Sequence, residues 1–152
     1  MEEINDDAVV RLGTFDGKPI WESPVPIRVS ANTSVHVMRW EAERVGRDPG
    51  RYLSASSSRG TFPTNRHFFA AIKDLRREPV KPEIEITQTE ERELQINLQS
   101  KSYAYFVHLE VPDEATRFSD NYFDLEPGEE RTVFIINDRM ALTPEMVKVG
   151  WR

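Results

Sequence analysis

The stretch from residue 118 to residue 136 constrains the fold more than any other part of the chain. Residues 118–129 read Phe-Ser-Asp-Asn-Tyr-Phe-Asp-Leu-Glu-Pro-Gly-Glu, and an alternating run, Arg-Thr-Val-Phe-Ile-Ile, follows over residues 131–136. Pro127 presets φ near about −65°, and Gly128 accepts a positive φ without strain, so this pair predicts a turn. An aromatic run, a Pro-Gly turn and an alternating run together predict a β-hairpin.

Length limits what the chain can carry. Its 152 residues are enough for one domain or two small ones, whereas a (β/α)8 barrel needs roughly 200 residues or more. The apolar content is 38%, with ten prolines and seven glycines, which favours thin sheets with one solvated face over a thick α/β core. The sequence therefore predicts an all-β fold.

Alternating residues predict the strands. In the first half they indicate strands at residues 8–15, 18–22, 35–40, 51–57 and 65–70, with Val25, Ile27 and Val29 alternating between the second and the third. Asp16-Gly17 predicts a hairpin, residues 31–34 a turn, and residues 40–44 one helical turn. The second half contains about six strands at the spacing of a sandwich, and Thr143-Pro144 predicts a helical turn.

Two runs resemble a known family. Residues 118–129 resemble the signature of the last immunoglobulin-like domain of β-mannosidases, which are retaining enzymes of glycoside hydrolase family 2. Asn65-x-x-Phe68-Phe69, followed by residues 73–75 and then prolines, resembles the end of the penultimate sandwich domain. The resemblance implies two tandem immunoglobulin-like β-sandwich units. It also implies that the catalytic residues lie upstream, on a barrel that has no counterpart in this chain.

The segment 73–82 is the predicted boundary between the units, because it is charged, contains Pro79 and Pro82 and lacks apolar periodicity. Residues 1–76 are then the C-terminal part of the penultimate sandwich, and residues 77–152 are the final domain. The first unit has only about five predicted strands, and the resemblance implies that the family's domain starts before Met1. Such a deficit predicts self-association through the first unit, since open edges and apolar patches pair.

Acidic pairs are the candidates for glycosidase chemistry, which needs two carboxylates about 5 to 5.5 Å apart. The pairs here are Asp120 with Asp124, which bracket a strand, and Glu129 with Glu130, which lie at a turn. Acidic residues in such places are ordinarily solvated or bonded to backbone, so we expect no catalytic residue in this chain. Asn121 is expected to bond nearby backbone for the same reason.

Histidines and aromatic residues are the other candidates. His36, His67 and His108 lie on separate predicted strands without metal-ligand spacing, so no metal site and no cofactor are predicted. The larger aromatic residues could form a sugar-stacking platform, but their alternation with apolar neighbours favours a role as core filling. These residues are Trp21, Trp40, Tyr103, Tyr105, Tyr122 and Trp151.

Charge and composition exclude several partners. Twenty basic residues against 26 acidic ones give a net charge of −6, which disfavours nucleic-acid binding. No apolar run approaches the roughly 18 residues of a membrane span, and the lack of cysteine favours a reducing, cytoplasmic compartment. Asn32-Thr33-Ser34 matches the N-glycosylation pattern, and we use it only to mark an exposed turn.

The residues and the resemblance together predict a non-catalytic accessory region. It would form the C-terminal part of a β-mannosidase-like glycoside hydrolase whose longer parent chain hydrolyses terminal non-reducing β-D-mannose residues, with the upstream catalytic barrel as its partner. The alternative is a stand-alone carbohydrate-binding or interaction β-sandwich.

Overall fold

The computed structural model describes residues 3–152, which form two compact units, residues 3–77 and Glu78–Arg152. The chain is all-β, as predicted. Helical structure in the described part is limited to α1 (Ala42–Val45) and to two 3₁₀ turns, Ile72–Asp74 and Pro144–Met146. None of these is long and apolar enough to span a membrane.

The first unit is one four-stranded antiparallel sheet. Its strands are β1 (Ile4–Thr14), β2 (Pro19–Val29), β3 (Arg51–Ser57) and β4 (Asn65–Phe68), in the order β2-β1-β3-β4. The predicted hairpin at Asp16-Gly17 joins β1 and β2, and Gly17 has a φ of 88°. A sandwich has two facing sheets, and residues 3–77 contribute this one.

Strand β2 is longer than predicted, because the expected strand at 18–22 and the alternation that follows it form one continuous element. Pro24 pairs with Val9 and Pro26 pairs with Asp7. Proline has no N–H to donate to a ladder and is tolerated at the edge of a sheet. β2 is an edge strand. Its prolines therefore interrupt no hydrogen bonds to a second neighbouring strand.

The strand predicted at residues 35–40 is wrong, because residues 33–41 have no regular structure. Met38 packs against the buried cluster of Ala8, Val25 and Ile27 on one face of the sheet. A segment that lies over a face meets side chains and not the N–H and C=O groups of a neighbouring strand. Met38 and Trp40 are half-buried there, whereas Val35 and Val37 stay exposed, and the segment forms no ladder.

The second unit is a β-sandwich, as predicted. Its strands are β5 (Glu83–Glu90), β6 (Glu93–Gln99), β7 (Ala104–Glu110), β8 (Thr116–Phe118), β9 (Phe123–Leu125), β10 (Glu130–Asn137) and β11 (Lys148–Gly150). They form a sheet in the order β5-β6-β10-β8 and a sheet in the order β11-β7-β9. Alternate residues of the two sheets build one core, which includes Leu94, Ile96, Val107, Leu109, Leu125, Val133 and Ile135.

The hairpin predicted at residues 118–136 is wrong, although its turn is present. Glu129 N donates to Glu126 O at 2.9 Å and Gly128 has a φ of 81°, as in a type II turn with Pro127 in its second position. The flanking strands do not pair, since β9 pairs with β7 and β10 pairs with β6 and β8. The turns that close tight hairpins are types I′ and II′, whose twist matches that of the strands, whereas type II splays them. The chain consequently crosses from one sheet to the other.

Candidate functional site

The acidic residues proposed as candidates hold the second unit together. Asp120 Oδ2 accepts a hydrogen bond from Arg131 Nη1 at 2.9 Å, and Glu129 Oε1 accepts one from Arg131 Nη2 at 2.6 Å. Asp124 accepts from the Tyr103 hydroxyl at 2.5 Å. Each of these carboxylates therefore has a side-chain partner, where the sequence predicted solvent or turn backbone.

Glu130 differs from the other three in lying on an exposed part of β10. Its Oε1 accepts from Gln99 Nε2 of the neighbouring strand β6 at 3.1 Å. Both residues line a groove of about 420 Å³ that crosses β5, β6 and β10. Thr132 Oγ1 also donates to Asn97 Oδ1 there, at 2.9 Å. The polar groups of this groove thus bond one another across the strands.

The side chain of Asn121 bonds the backbone of β7 as a residue of a neighbouring strand would. Its Oδ1 accepts from Leu109 N at 2.8 Å, and its Nδ2 donates to Leu109 O at 2.9 Å. The side-chain amide thus reproduces the donor and acceptor of a peptide group against β7. The Tyr122 N–H also donates to Asn121 Oδ1, at 2.9 Å. Asn121 does bond backbone, as predicted, but its principal partner lies twelve residues away.

Phe106, His108 and Tyr122 form a cluster that we call the aromatic shelf. The ring centroids of Phe106 and Tyr122 are 5.5 Å apart, and those of His108 and Tyr122 are 6.2 Å apart with an angle of 7° between their planes. Phe106 has a φ of 54° and Tyr122 a φ of 60°. Tyr122 is 62% exposed. The sequence reasoning that favoured core filling for Tyr122 is therefore wrong.

The polar residues of the 118–129 run support this shelf. Phe106 lies where the register between β7 and β9 shifts, and its N–H donates to Asp124 Oδ1 at 2.9 Å. Asn121 accepts the N–H of Tyr122. Both left-handed residues thus have their amide groups held by a side chain of the same run.

Gly150 and three charged residues complete the surroundings. Gly150 pairs with His108 across β11 and β7. A Cβ on Gly150 would lie 2.3 Å from Cε1 of the imidazole, so any other residue there would displace the ring. His108 Nε2 lies 3.7 Å from Glu110 Oε1. Lys148 on β11 lies opposite Glu110 in the register with β7. The Arg152 guanidinium lies 5.7 Å from the centroid of the Phe106 ring. Charged groups therefore border an aromatic centre.

The other aromatic candidates are packed to different degrees. Tyr103 is 1% exposed, Tyr105 is half-buried, and Trp151 donates its indole N–H to Val80 O at 2.7 Å. In the first unit Trp21 and Trp40 meet edge to face with centroids 4.4 Å apart. Trp40 also lines a second cavity of about 350 Å³ together with Val45, Leu53, His67 and Phe69.

The histidines lie in different elements. His36 is exposed in the irregular segment, His67 is exposed on β4, and His108 belongs to the shelf. Within residues 3–152, no three His, Asp or Glu residues are grouped so that they could hold a metal ion.

The fold and these contacts define the structural class of the second unit. The second unit is an immunoglobulin-like β-sandwich whose connecting run of polar residues joins its two sheets. Residues 79–148 match the family model Ig_mannosidase, which describes an Ig-fold domain. The second unit is therefore similar to this family of Ig-fold domains.

Two solved structures match over nearly the whole chain. The β-D-mannosidase of Dictyoglomus thermophilum matches with a TM-score of 0.76 and 21% identity, over 99% of this chain and 19% of that one. The exo-chitosanase of Amycolatopsis orientalis matches with a TM-score of 0.60 and 13% identity, over 99% of this chain and 23% of that one. The chain thus spans about a fifth of the length of these enzymes. No curated protein sequence matches it.

Proposed function

We propose that this chain is the non-catalytic C-terminal accessory region of a β-mannosidase-like glycoside hydrolase. The longer parent chain would hydrolyse terminal non-reducing β-D-mannose residues on an upstream catalytic barrel. The similarity of 99% of this chain to 19% of a β-D-mannosidase carries the proposal, and the family match over residues 79–148 supports it. The lack of cysteine supports a cytoplasmic location for the parent.

The role of the chain in such an enzyme would be structural. The candidate carboxylates Asp120, Asp124 and Glu129 are bonded to an arginine, a tyrosine hydroxyl or backbone amides. Retaining hydrolysis needs one carboxyl group to act as a nucleophile and another as an acid. Groups that hold two sheets together serve a different purpose, which favours a rigid accessory region over a catalytic one.

An activity assay tests the catalytic part of this proposal. The 152-residue polypeptide is expected to leave p-nitrophenyl β-mannoside unhydrolysed, because roughly 200 residues or more are needed for a barrel. The coding sequence upstream of Met1 should encode that barrel. Turnover by the purified chain that Asp120→Asn abolishes would contradict the proposal.

A stand-alone carbohydrate-binding or interaction module is the second candidate. The exposed ring of Tyr122 favours it. An upstream reading frame that encodes no barrel would favour this candidate over the first, and it would leave the fold assignment unchanged.

A further inference from the structure

The aromatic shelf has a backbone that its residues do not favour. A side chain with a Cβ is unfavourable at positive φ, above all a bulky one. Glycine or asparagine would fit both positions with less strain, yet Phe106 and Tyr122 occupy them at φ 54° and 60° and their rings are in contact. Such strain persists only where the surrounding structure enforces it, and it is concentrated at ligand sites.

The enforcement here comes from two parts of the second unit, the 118–129 run and β11. Asp124 holds the N–H of Phe106, Asn121 holds the N–H of Tyr122, and Gly150 leaves the space that the His108 ring fills. The backbone positions that carry the rings are consequently held before any ligand arrives, and preorganisation of this kind lowers the entropic cost of binding.

The composition of the shelf indicates what it binds. Tyrosine provides rigid, amphipathic contact area with few rotatable bonds, and Tyr122 is more exposed than the other large hydrophobic residues of the described chain. Acceptor and donor groups, Glu110 on one side and Arg152 on another, border the rings. A sugar ring has the complementary chemistry, with an apolar C–H face and hydroxyl groups around its edge.

The size of the shelf argues against a protein partner. Three rings expose at most a few hundred Å², whereas a stable protein interface buries about 800 Å² on each partner. One or two sugar rings match the smaller area.

We propose that the aromatic shelf binds the flat face of a pyranose ring in an oligosaccharide, with Tyr122 as the stacking residue. The surface is open and not a cleft, so the dissociation constant should be on the order of millimolar. The choice of a mannoside as first ligand rests on the proposed function, whereas the binding of a pyranose by the shelf does not.

The test is an NMR titration of the ¹⁵N-labelled full chain with β-1,4-linked mannohexaose, with chitohexaose and maltohexaose titrated in parallel. Shifts should be concentrated in the amides of His108, Tyr122 and Gly150. Tyr122→Asn should weaken binding at least about tenfold, as the truncation of an aromatic anchor does. Asparagine accepts a left-handed backbone, so this variant should keep the fold, with an unchanged or higher Tm.

Matched variants separate stacking from folding. Tyr122→Phe keeps the ring and should keep binding. Phe134→Ala removes another exposed aromatic ring, 42% exposed and on the other sheet, and should also keep binding. A folded Tyr122→Asn protein that binds as tightly as the parent sequence would overturn the proposal.

Two further results would also overturn it. One is the absence of shelf shifts with all three hexasaccharides at about 10 mM. The other is a set of shelf shifts that appears only when a catalytic barrel is added in trans, since this would make the shelf a protein-docking surface. Binding of chitohexaose or maltohexaose in place of mannohexaose would support the shelf and would count against the mannosidase assignment, so the two proposals fail separately.

Discussion

At the scale of single residues, the 118–129 run is explained by what its side chains bond. Ser119 Oγ accepts the N–H of Phe134, and Asp124 accepts both the Tyr103 hydroxyl and the Phe106 N–H. Glu129 pairs with Arg131 while its second oxygen accepts the N–H of Glu126. Hydrogen bonds to ionised groups are stronger than neutral ones, so this order of residue types stabilises the crossing between the sheets.

Gly128 should be sensitive to substitution for a reason confined to its backbone. Its φ is 81°, and a Cβ there would have no heavy atom within 4 Å. Gly128→Val should therefore lower the free energy of unfolding by more than about 1 kcal/mol through conformational strain alone. Urea denaturation of both proteins measures this difference.

Gly128→Asn is the matched control, because asparagine accepts positive φ more readily than valine. It should cost clearly less. Equal stability of the valine variant and the unaltered protein would contradict the turn geometry described above.

Asp6 should make the first unit sensitive to acid. It is 3% exposed, and the hydroxyls of Ser57 and Thr61 donate to its Oδ2 and lower its pKa from 3.8 to about 2. A carboxyl group whose pKa is lower in the folded state stabilises that state fully above pH 3.8, and this contribution is lost as the pH falls from about 4 to about 2.

Asp6→Asn should therefore reduce the stability at pH 6 and flatten its fall between pH 4 and pH 2. Tryptophan fluorescence reports chiefly on unfolding of the first unit, which contains Trp21 and Trp40, while Trp151 belongs to the second. Asp7→Asn removes the same charge from an exposed neighbouring residue and serves as the control. Identical pH profiles for the Asp6 variant and the unaltered protein would refute this role.

At the scale of elements, periodicity predicted the strands better than it predicted their partners. The strand at residues 51–57 has the predicted bounds, because its residues both alternate and lie between two other strands. Residues 35–40 also alternate, but Met38 packs over a face of the sheet and Val35 and Val37 stay exposed. Residues 123–136 have the predicted turn. Whether β10 pairs with β9 depends on the twist of that turn and on which sheet has a free edge, and the whole domain determines both.

The site was less predictable than the fold. Nothing in local sequence distinguishes Tyr122 from the neighbouring Phe123, although the first is 62% and the second 8% exposed. The difference arises from the left-handed backbone of Tyr122, which the bonds of Asn121 to β7 impose. Asparagine immediately before a strand was the available signal, and its long-range partner could not be deduced from spacing.

Asn121 should accordingly behave as part of the β7 ladder. Asn121→Ala leaves the Leu109 N–H and C=O without their partners, and leaving buried polar groups unsatisfied costs about 1–3 kcal/mol. Asn121→Asp keeps the acceptor for Leu109 N but replaces the donor to Leu109 O, so it should also destabilise. Hydrogen exchange should show faster exchange of the Leu109 amide in the alanine variant than in the aspartate variant. Unchanged exchange in both would mean that the side chain does not replace a strand.

At the scale of the whole molecule, the two units differ in how they bury apolar residues. The second unit encloses eleven buried residues, Leu94 to Leu142, between two sheets. The described part of the first unit buries seven hydrophobic residues, of which Ala8, Val25 and Ile27 form the cluster on one face of its sheet. A sheet stabilises a fold by burying a face, so the second unit should be the more stable of the two.

This contrast leads to a prediction about association. Val35 is 49% exposed, Val37 is 46% exposed and Ile20 is 42% exposed, all within the first unit, and β2 and β4 are the edges of its sheet. Open edges and apolar surface favour pairing between copies. Residues 78–152 expressed alone should therefore be a soluble monomer, whereas the full chain should dimerise or aggregate through its first unit.

Sedimentation of both polypeptides at several concentrations measures this association. The double variant Val35→Thr/Val37→Thr of the full chain is expected to weaken it. A full chain that stays monomeric throughout the series would mean that its four strands and the segment over them form a sufficient core unaided.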